Sequence, residues 1–471
     1  MTMIQRDRAI VLGGSMAGLF AARVLSDHFN EVLILERDTL PSEAEIRNGT
    51  PQARHLHQLL ASGQRVMERL FPELKDDLRE VGAPEMEWGV DNIILLPEGR
   101  GAVMPSGIVT NTCSRATLEF LIRRRLLEHD NVKILEKHRI QGLIATDDNS
   151  RITGVQVKVG REQHEMFADF IVDATGRASK TPDYFEALGY EKPEQSYVNA
   201  HIGYSTAWFK KPDDLAEDFV MMASLSTGAD VYPGGGNRSG IITKIEGDRW
   251  VAIIASNNKD YPPTDLPGFL EFTKTLHGLD IYEALRDAEP ISPVYGSRTT
   301  YSIWQHYEKL DRRPENFIIT GDAACGFNPI YGQGMSVAAM DAELLDDCLR
   351  EWDEGDLTGF ATHFQMKLAD FLVAPWDMAT TADKYEPTAV GDIEVAGRLK
   401  RMADVYFAWV LAAVAVDPVV NRAFLRVMNM LDKPETLGKP GILLRVLRHR
   451  FFGQKPPTQP AQSVPVTAAG D

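Results

Sequence analysis

Two glycine-rich stretches about 300 residues apart carry most of the chemistry that can be read from this chain. The first is Gly13-Gly14-Ser15-Met16-Ala17-Gly18. The second starts at Gly321-Asp322 and runs through Asn328-Pro329-Ile330-Tyr331-Gly332-Gln333-Gly334-Met335. Glycine lets a backbone approach a ligand closely and take turns that side chains forbid. Where such a turn opens a helix, free N–H groups and the helix dipole favour an anion such as a pyrophosphate. Gly13 permits the tight turn and Gly18 a close helix–strand contact, while Ser15 stands where a middle glycine is usual and still leaves the backbone approachable. Glu36 lies 18 residues beyond Gly18, where its carboxylate can accept from a ribose 2′-OH and would repel a 2′-phosphate. FAD or NAD is the nucleotide these features favour.

The second stretch separates those two. Asp322 follows a glycine at a strand end and suits a polyhydroxyl chain such as ribityl, with a helix cap or Asx-turn as the competing use. Pro329, Gly332 and Gly334 put backbone rather than side chain at the ligand surface. The N–H groups of Gly332, Gln333 and Gly334 enter the next helix, where they could stabilise charge at the N1/C2 carbonyl edge of a reduced flavin. A nicotinamide has no such need, so flavin is favoured. One long ligand held at both ends then explains both stretches.

Elements at the right places are legible around these loops. Ala9 to Leu12, Glu31 to Glu36, Asp169 onward and Phe317 to Thr320 read as buried strands, and Leu19 to Leu25 and Ser336 to Ala342 as helices. Met86 to Thr110 reads as β-hairpins, Cys113 to His129 as an amphipathic helix, and 131–135 and 154–159 as further strands. Ile202 to Phe209, Gly240 to Ile245 and Arg249 to Ala255 have strand composition, the last two joined by a Gly-Asp turn. Pro233 to Asn237 reads as a mobile loop. The expected fold is α/β, with a Rossmann-like FAD-binding domain (1–190 plus 310–355), an inserted β-sheet substrate domain (191–309) and a C-terminal helical region (356–453). A disordered tail (454–471) follows. Tyr204, Trp208, Met221 and Tyr295 are candidates for an apolar substrate pocket, with plain core packing as the alternative.

Composition narrows the partners. A net charge of -17 argues against a nucleic-acid surface, and Arg123-Arg124-Arg125 is expected on a helix's solvent face. Three cysteines without CxxC spacing argue against a disulfide framework, and a cytoplasmic location is expected. His55 and His57 lack a third ligand at a convincing spacing, so no metal is assigned. The N-terminus reads as a strand rather than a signal peptide. Val405 to Val416 is too short to span a bilayer and is expected to be a buried helix. The apolar and basic segment 441–452 is expected to pack on the body, with peripheral membrane contact as the alternative. Monomer and dimer both remain open.

With Asp173-Ala174-Thr175-Gly176-Arg177 added, the two stretches resemble the three signatures of class A FAD-dependent monooxygenases, typified by p-hydroxybenzoate hydroxylase. Pro51 to His57, Thr181 to Tyr190 and Asp260 to Asp265 are similar to segments of a bacterial polyether-type epoxidase branch related to squalene epoxidases. The resemblance covers roughly residues 5 to 390. It implies a resident, noncovalent FAD, reduced by NADPH or NADH that visits without a Rossmann domain of its own. O2 would then give a flavin C4a-hydroperoxide whose distal oxygen enters an electron-rich ring or an alkene. By the same resemblance Glu36 holds the adenosine ribose, Arg115 meets the FAD phosphates, Asp322 binds ribityl, and Pro329 with the 332–334 backbone lines the isoalloxazine. Met16, Ala17, Arg37, Arg54, Asp173, Gly176, Gly321 and Met335 complete the candidate cofactor set. Ala174 departs from the aromatic-hydroxylase wording, and the halogenase segment Trp-x-Trp-x-Ile-Pro is missing. The implied activity is epoxidation or hydroxylation of an apolar or polyketide-like metabolite. A flavin-dependent reductase of isoprenoid-like alkenes and a non-enzymatic flavin protein are the alternatives. No catalytic side chain is assigned, because the flavin carries the chemistry.

Overall fold

Ala9, Ile10 and Val11 are fully buried, an unbroken apolar run of the kind a parallel sheet needs when both its faces are covered. The computed structural model describes residues 6–96, 99–101, 103–215, 217–225, 237–298, 300–352, 356–394 and 397–453. The buried run ends strand β1 (Arg6–Leu12), which is followed by helix α1 (Met16–Leu25) and strand β2 (Phe29–Leu35). Helix α2 (Arg115–Leu126), β3 (Val132–Leu135), β4 (Phe170–Asp173), β5 (Phe317–Ile319) and helix α3 (Gly334–Glu351) complete the unit. The sheet order is β5-β4-β1-β2-β3, parallel throughout. Ala9 pairs with Phe170, and Ile171 with Phe317, so the chain leaves this Rossmann-like sheet and returns to it twice.

A second, seven-stranded sheet is built mostly from residues between Gly203 and Ser297. Strand Gly203–Lys210 pairs with Arg249–Ser256, which pairs with Arg238–Ile245 across a turn where Gly247 and Asp248 both have positive φ. Met221–Ser224 continues the sheet, and Asn92–Leu96 then joins it in parallel. The sheet therefore reaches back into the N-terminal stretch, beyond residues 191–309. The hairpin expected in 86–110 is Asn92–Leu96 with Gly99–Arg100, while Glu85–Glu87 pairs separately with Val109–Asn111. Alternation sorts the faces. Ala207, Phe209, Ala252 and Ile254 pack under the helices Leu266–Thr273 and Asp280–Leu285. The opposite face carries Tyr204, Thr206, Trp208 and Met221. Of the loop expected at 233–237, residues 233–236 lie outside the described residues.

The C-terminal region is helical: α4 (Phe360–Thr380), α5 (Arg398–Val414), α6 (Pro418–Met428) and α7 (Pro440–Phe452). Val410, Ala413, Val420, Phe424, Ile442 and Val446 form one core with Met86, Trp88 and Met221, closing these helices over the second sheet. Two expectations are corrected. The 405–416 segment is amphipathic rather than buried, since Val410 and Ala413 pack inward while Val405, Phe407 and Val416 remain exposed. The arginine run is not a solvent face either, because Arg123 is buried and Arg124 and Arg125 both pair with Asp77. In α7 Ile442 and Val446 pack inward, and Leu444, Phe451 and Phe452 stay exposed. Among the described residues no single helix is long and apolar enough to cross a membrane. Cys113, Cys325 and Cys348 are buried free thiols.

Candidate cofactor and substrate site

The turn after β1 is shaped by what a side chain would strike. Gly13 holds φ +98°, and a Cβ there would lie 2.7 Å from the Ala174 oxygen, while one on Gly18 would lie 1.9 Å from the Gly13 oxygen. Helix α1 therefore starts hard against the sheet, with first-turn N–H groups that have no partner inside the helix. Ser15 occupies the N-cap without making a capping bond. Its hydroxyl accepts from Arg115 Nη2 at 2.7 Å and donates to Glu119 Oε2 at 3.2 Å. Ser114 caps α2 by accepting from the Thr117 N–H, which places Arg115 at the first helical position. Arg115 Nη2 also meets Glu119 one turn on, at 2.9 Å, and its Nε is buried with no partner.

Glu36 is buried just past β2. Its Oε2 accepts from the Gly14 N–H and its Oε1 from the Asp38 N–H, both at 2.9 Å, so the carboxylate ties the glycine turn to β2. Sequence reasoning missed Arg47, a lone arginine in a polar stretch with no motif around it. It lies 2.9 Å from Glu119, 2.9 Å from Asp38 and 3.4 Å from Glu36. Burial opposes ionisation of Glu119, but Arg115 and Arg47 outweigh it and hold the carboxyl below its usual range. A small cavity lined by Arg47, Arg115 and Glu119 opens beside them. Arg37 is exposed at the end of the same turn.

Gly321 follows β5 at φ +61°, and Met16 and Ala17 begin α1 opposite it, so the two glycine stretches meet here. Asp322 is partly exposed, and its Oδ2 accepts from Arg177 Nε at 3.0 Å. A Cβ on Gly334 would lie 3.9 Å from Asp322 Oδ1. The chain between them turns through Pro329, which is exposed, and Gly332, which is left-handed at φ +66°. Gln333 then caps α3, its Oε1 buried and unpartnered, and Met335 is buried in the first turn. Below the loop Asp341 accepts from Gly321 N–H at 3.0 Å and Thr320 Oγ1 at 3.1 Å. Burial pushes its pKa up to about 7.

Asp173 shapes the turn that follows its strand. Its Oδ1 accepts from the Thr175 N–H and hydroxyl, and its Oδ2 from the Ser179 and Thr181 hydroxyls. Both oxygens are committed to shaping the turn that carries Gly176 (φ +80°) and aims Arg177 at Asp322.

The substrate candidates meet this site through residues 54–58. Tyr204, Thr206 and Trp208 share one strand face. Trp208 Nε1 donates to the Arg54 oxygen at 2.8 Å, and Thr206 Oγ1 lies 2.9 Å from His55 Nδ1. Tyr204 meets the His55 ring edge-on at 4.7 Å, and Arg54 lies 5.4 Å over the Tyr295 ring. Three residues on, Gln58 lies beside Gly332. Met221 lies farther along the same sheet face, in the core shared with the C-terminal helices. Burial and Arg54 lower the His55 pKa to about 4. Burial and Arg115 lower that of His57 to about 3. Both imidazoles are therefore neutral at ordinary pH.

Comparison with known proteins places the chain in a family. The FAD binding domain family matches residues 7–356. A Mycobacterium tuberculosis protein, Rv3254, is 30% identical over 95% of this chain and 94% of its own length. A kynurenine 3-monooxygenase of Salinispora tropica is 24% identical over 73% of both chains. Among solved structures, the flavin-dependent brominase Bmp2 superposes with a TM-score of 0.65 at 14% identity, covering 96% of this chain and all of its own. The chain belongs to the FAD binding domain family. Its cofactor is FAD, with NAD(P)H and O2 as the usual reductant and co-substrate. The residues present suit that group. Side chains are excluded where the backbone must approach a ligand, and the buried Arg115 Nε and Gln333 Oε1 await partners at opposite ends of the site.

Proposed function

We propose that this protein is an FAD-dependent monooxygenase that uses NAD(P)H and O2 to epoxidise or hydroxylate an apolar, polyketide-like metabolite. The observation that carries this reading is the convergence of three surfaces. The 13–18 turn and the 321–334 loop meet at one point, and residues 54–58 join that point to the sheet face holding Tyr204, Thr206 and Trp208. Arg115 and the start of α1 would hold the pyrophosphate, Glu36 the adenosine ribose and Asp322 the ribityl chain. The Gly332–Gly334 backbone would face the flavin ring. FAD, once reduced, supplies the activation of O2. The chain's own part is to bind, orient and exclude water. Tyr204, Trp208, Met221 and Tyr295 offer apolar surface for a substrate between the second sheet and the C-terminal helices. The Rossmann-like sheet serves FAD, so NADPH or NADH would visit and leave.

The test is an oxygen-dependent screen of apolar metabolites with NADPH and with NADH, reading flavin reduction and the product mass. A product heavier by one oxygen atom supports the proposal. A product gaining two hydrogens without O2 would replace it with alkene reduction. A purified protein without flavin absorbance would remove both readings.

A further inference from the structure

Residues 383–392 form a strap that runs from beyond the end of α4 to a sheet edge and includes none of the proposed cofactor contacts. Asp383 is buried at its start. Its Oδ2 accepts from Asn328 Nδ2 at 2.9 Å, and its Oδ1 accepts from the Tyr331 hydroxyl at 2.5 Å. Farther on, Glu386 Oε2 accepts from Asn258 Nδ2 at 2.6 Å, and Asn258 Oδ1 accepts from the Thr388 hydroxyl at 3.1 Å. Val390 and Gly391 then pair with Asn199 and Val198. The strap is thus anchored to the β-structure at one end and to the 328–331 turn at the other. Asn328 and Tyr331 bracket Pro329, and Asn328 Oδ1 accepts from the Ile330 N–H at 3.3 Å. The next residues are Gly332, Gln333 and Gly334.

We infer that Asp383 is a positioning residue, which sets Pro329 and the Gly332–Gly334 backbone against the flavin ring by holding Asn328 and Tyr331 together. This inference rests on the reading that the loop faces the ring. Two donors converge on the two oxygens of one side chain, and only an ionised carboxylate accepts from both without rearrangement. A buried arrangement of this kind is rigid when satisfied and is disturbed by the loss of one partner.

Protonation offers a handle on that arrangement. Burial raises the Asp383 pKa to about 6, with Glu386 adding to the rise while the Tyr331 and Asn328 bonds oppose it. The strand Glu194–Asn199, which carries Glu194 and Tyr197, and helix α4, which carries Asp377, also pack against residues 383–385. Neighbouring Lys384 pairs with Glu394. Among the described residues no cation pairs with Asp383. Above about pH 6 the carboxylate therefore accepts both bonds, and below it one oxygen carries a proton.

The test uses FAD-loaded protein and four variants: Asp383→Asn, Tyr331→Phe, the exchange Asn328→Asp with Asp383→Asn, and Asp322→Ala as control. The readouts are FAD occupancy, the flavin absorption band and the rate of flavin reduction by NAD(P)H from pH 5 to 8.5. The wild type is expected to slow below an inflection near pH 6. Asp383→Asn should keep its FAD, shift the band, reduce roughly tenfold more slowly and lose the inflection. The exchange, which restores one carboxylate and one amide to the pair, should recover the rate. Tyr331→Phe should raise the inflection, because a donor that stabilises the charged carboxylate is lost. Wild-type band, rate and pH profile in Asp383→Asn would overturn the inference. So would a rate loss that the exchange does not recover. If Asp383→Asn does not fold, Tyr331→Phe decides by its inflection alone, and an unmoved one overturns the inference. If Asp322→Ala loses FAD while Asp383→Asn is silent, only this inference fails. If Asp322→Ala also retains FAD unchanged, the reading of the loop fails with it.

Discussion

A Cβ placed on Gly321 would lie 2.7 Å from the Cβ of Ala17, although 304 positions separate the two residues. The strand-end turn of β5 and the start of α1 are therefore one surface, and one ligand can touch both. Gly321→Val should close that surface. Its expected outcome is a folded protein with little FAD, read as flavin absorbance per protein after desalting.

Arg115 is held by Ser15 and Glu119 with one nitrogen left over. Arg115→Ala should weaken FAD roughly 10- to 100-fold, the range for losing a charge-assisted hydrogen bond. Fluorescence titration of the apoprotein with FAD measures it, and an unchanged dissociation constant would refute the phosphate assignment.

Asp322→Ala removes the partly exposed carboxylate beside Gly334. FAD retention should fall roughly tenfold, measured by ultrafiltration. Glu36→Arg should act on both binding and fold, because the Glu36 carboxylate holds the Gly14 N–H. Its melting temperature should drop together with FAD affinity.

Asp341 carries a pH dependence of opposite sign to that of most paired carboxylates. Its folded pKa is raised by burial to about 7 from an ordinary 3.8. The folded state therefore binds a proton that the unfolded chain has released. That stability is fully present below about pH 4 and is lost as pH rises through 7. Asp341→Asn keeps an acceptor for the Gly321 N–H and removes the titration. Its melting temperature should gain on the wild type between pH 4 and 7 and run parallel above, and calorimetry across that range checks it.

Gly18→Ala would set a Cβ 1.9 Å from the Gly13 oxygen. A cost of ~1–3 kcal/mol is expected from overpacking, measured by denaturant unfolding of the apoprotein. Wild-type stability would mean that the turn has room it does not show.

What was legible in the sequence was local. Ala9 to Leu12 announces a buried strand by its composition, and Gly13, Gly18 and Gly321 announce turns because few other residues fit there. Arg47 and Asp383 were not legible, since each acts on partners distant in sequence. Arg47 meets Glu119 across 72 positions, and Asp383 meets Asn328 across 55. The same reason hid Asn92–Leu96, whose place beside Met221–Ser224 is a matter of pairing and not of pattern. Asp173 was found for its motif, but its four internal bonds could only be seen once Ser179 and Thr181 were folded back upon it.

The order of the parallel sheet has a consequence for how the chain is made. Strand β1 is synthesised well before β4 and β5, which cover its side of the sheet and come from 170–173 and 317–319. At ribosomal speeds of about 5–20 residues per second, roughly 15–60 s pass between β1 and β5. During that interval the nascent sheet has an open edge, and its cofactor loop is missing one wall. On the proposed placement of FAD, its site is complete only once the Gly321 side has been made.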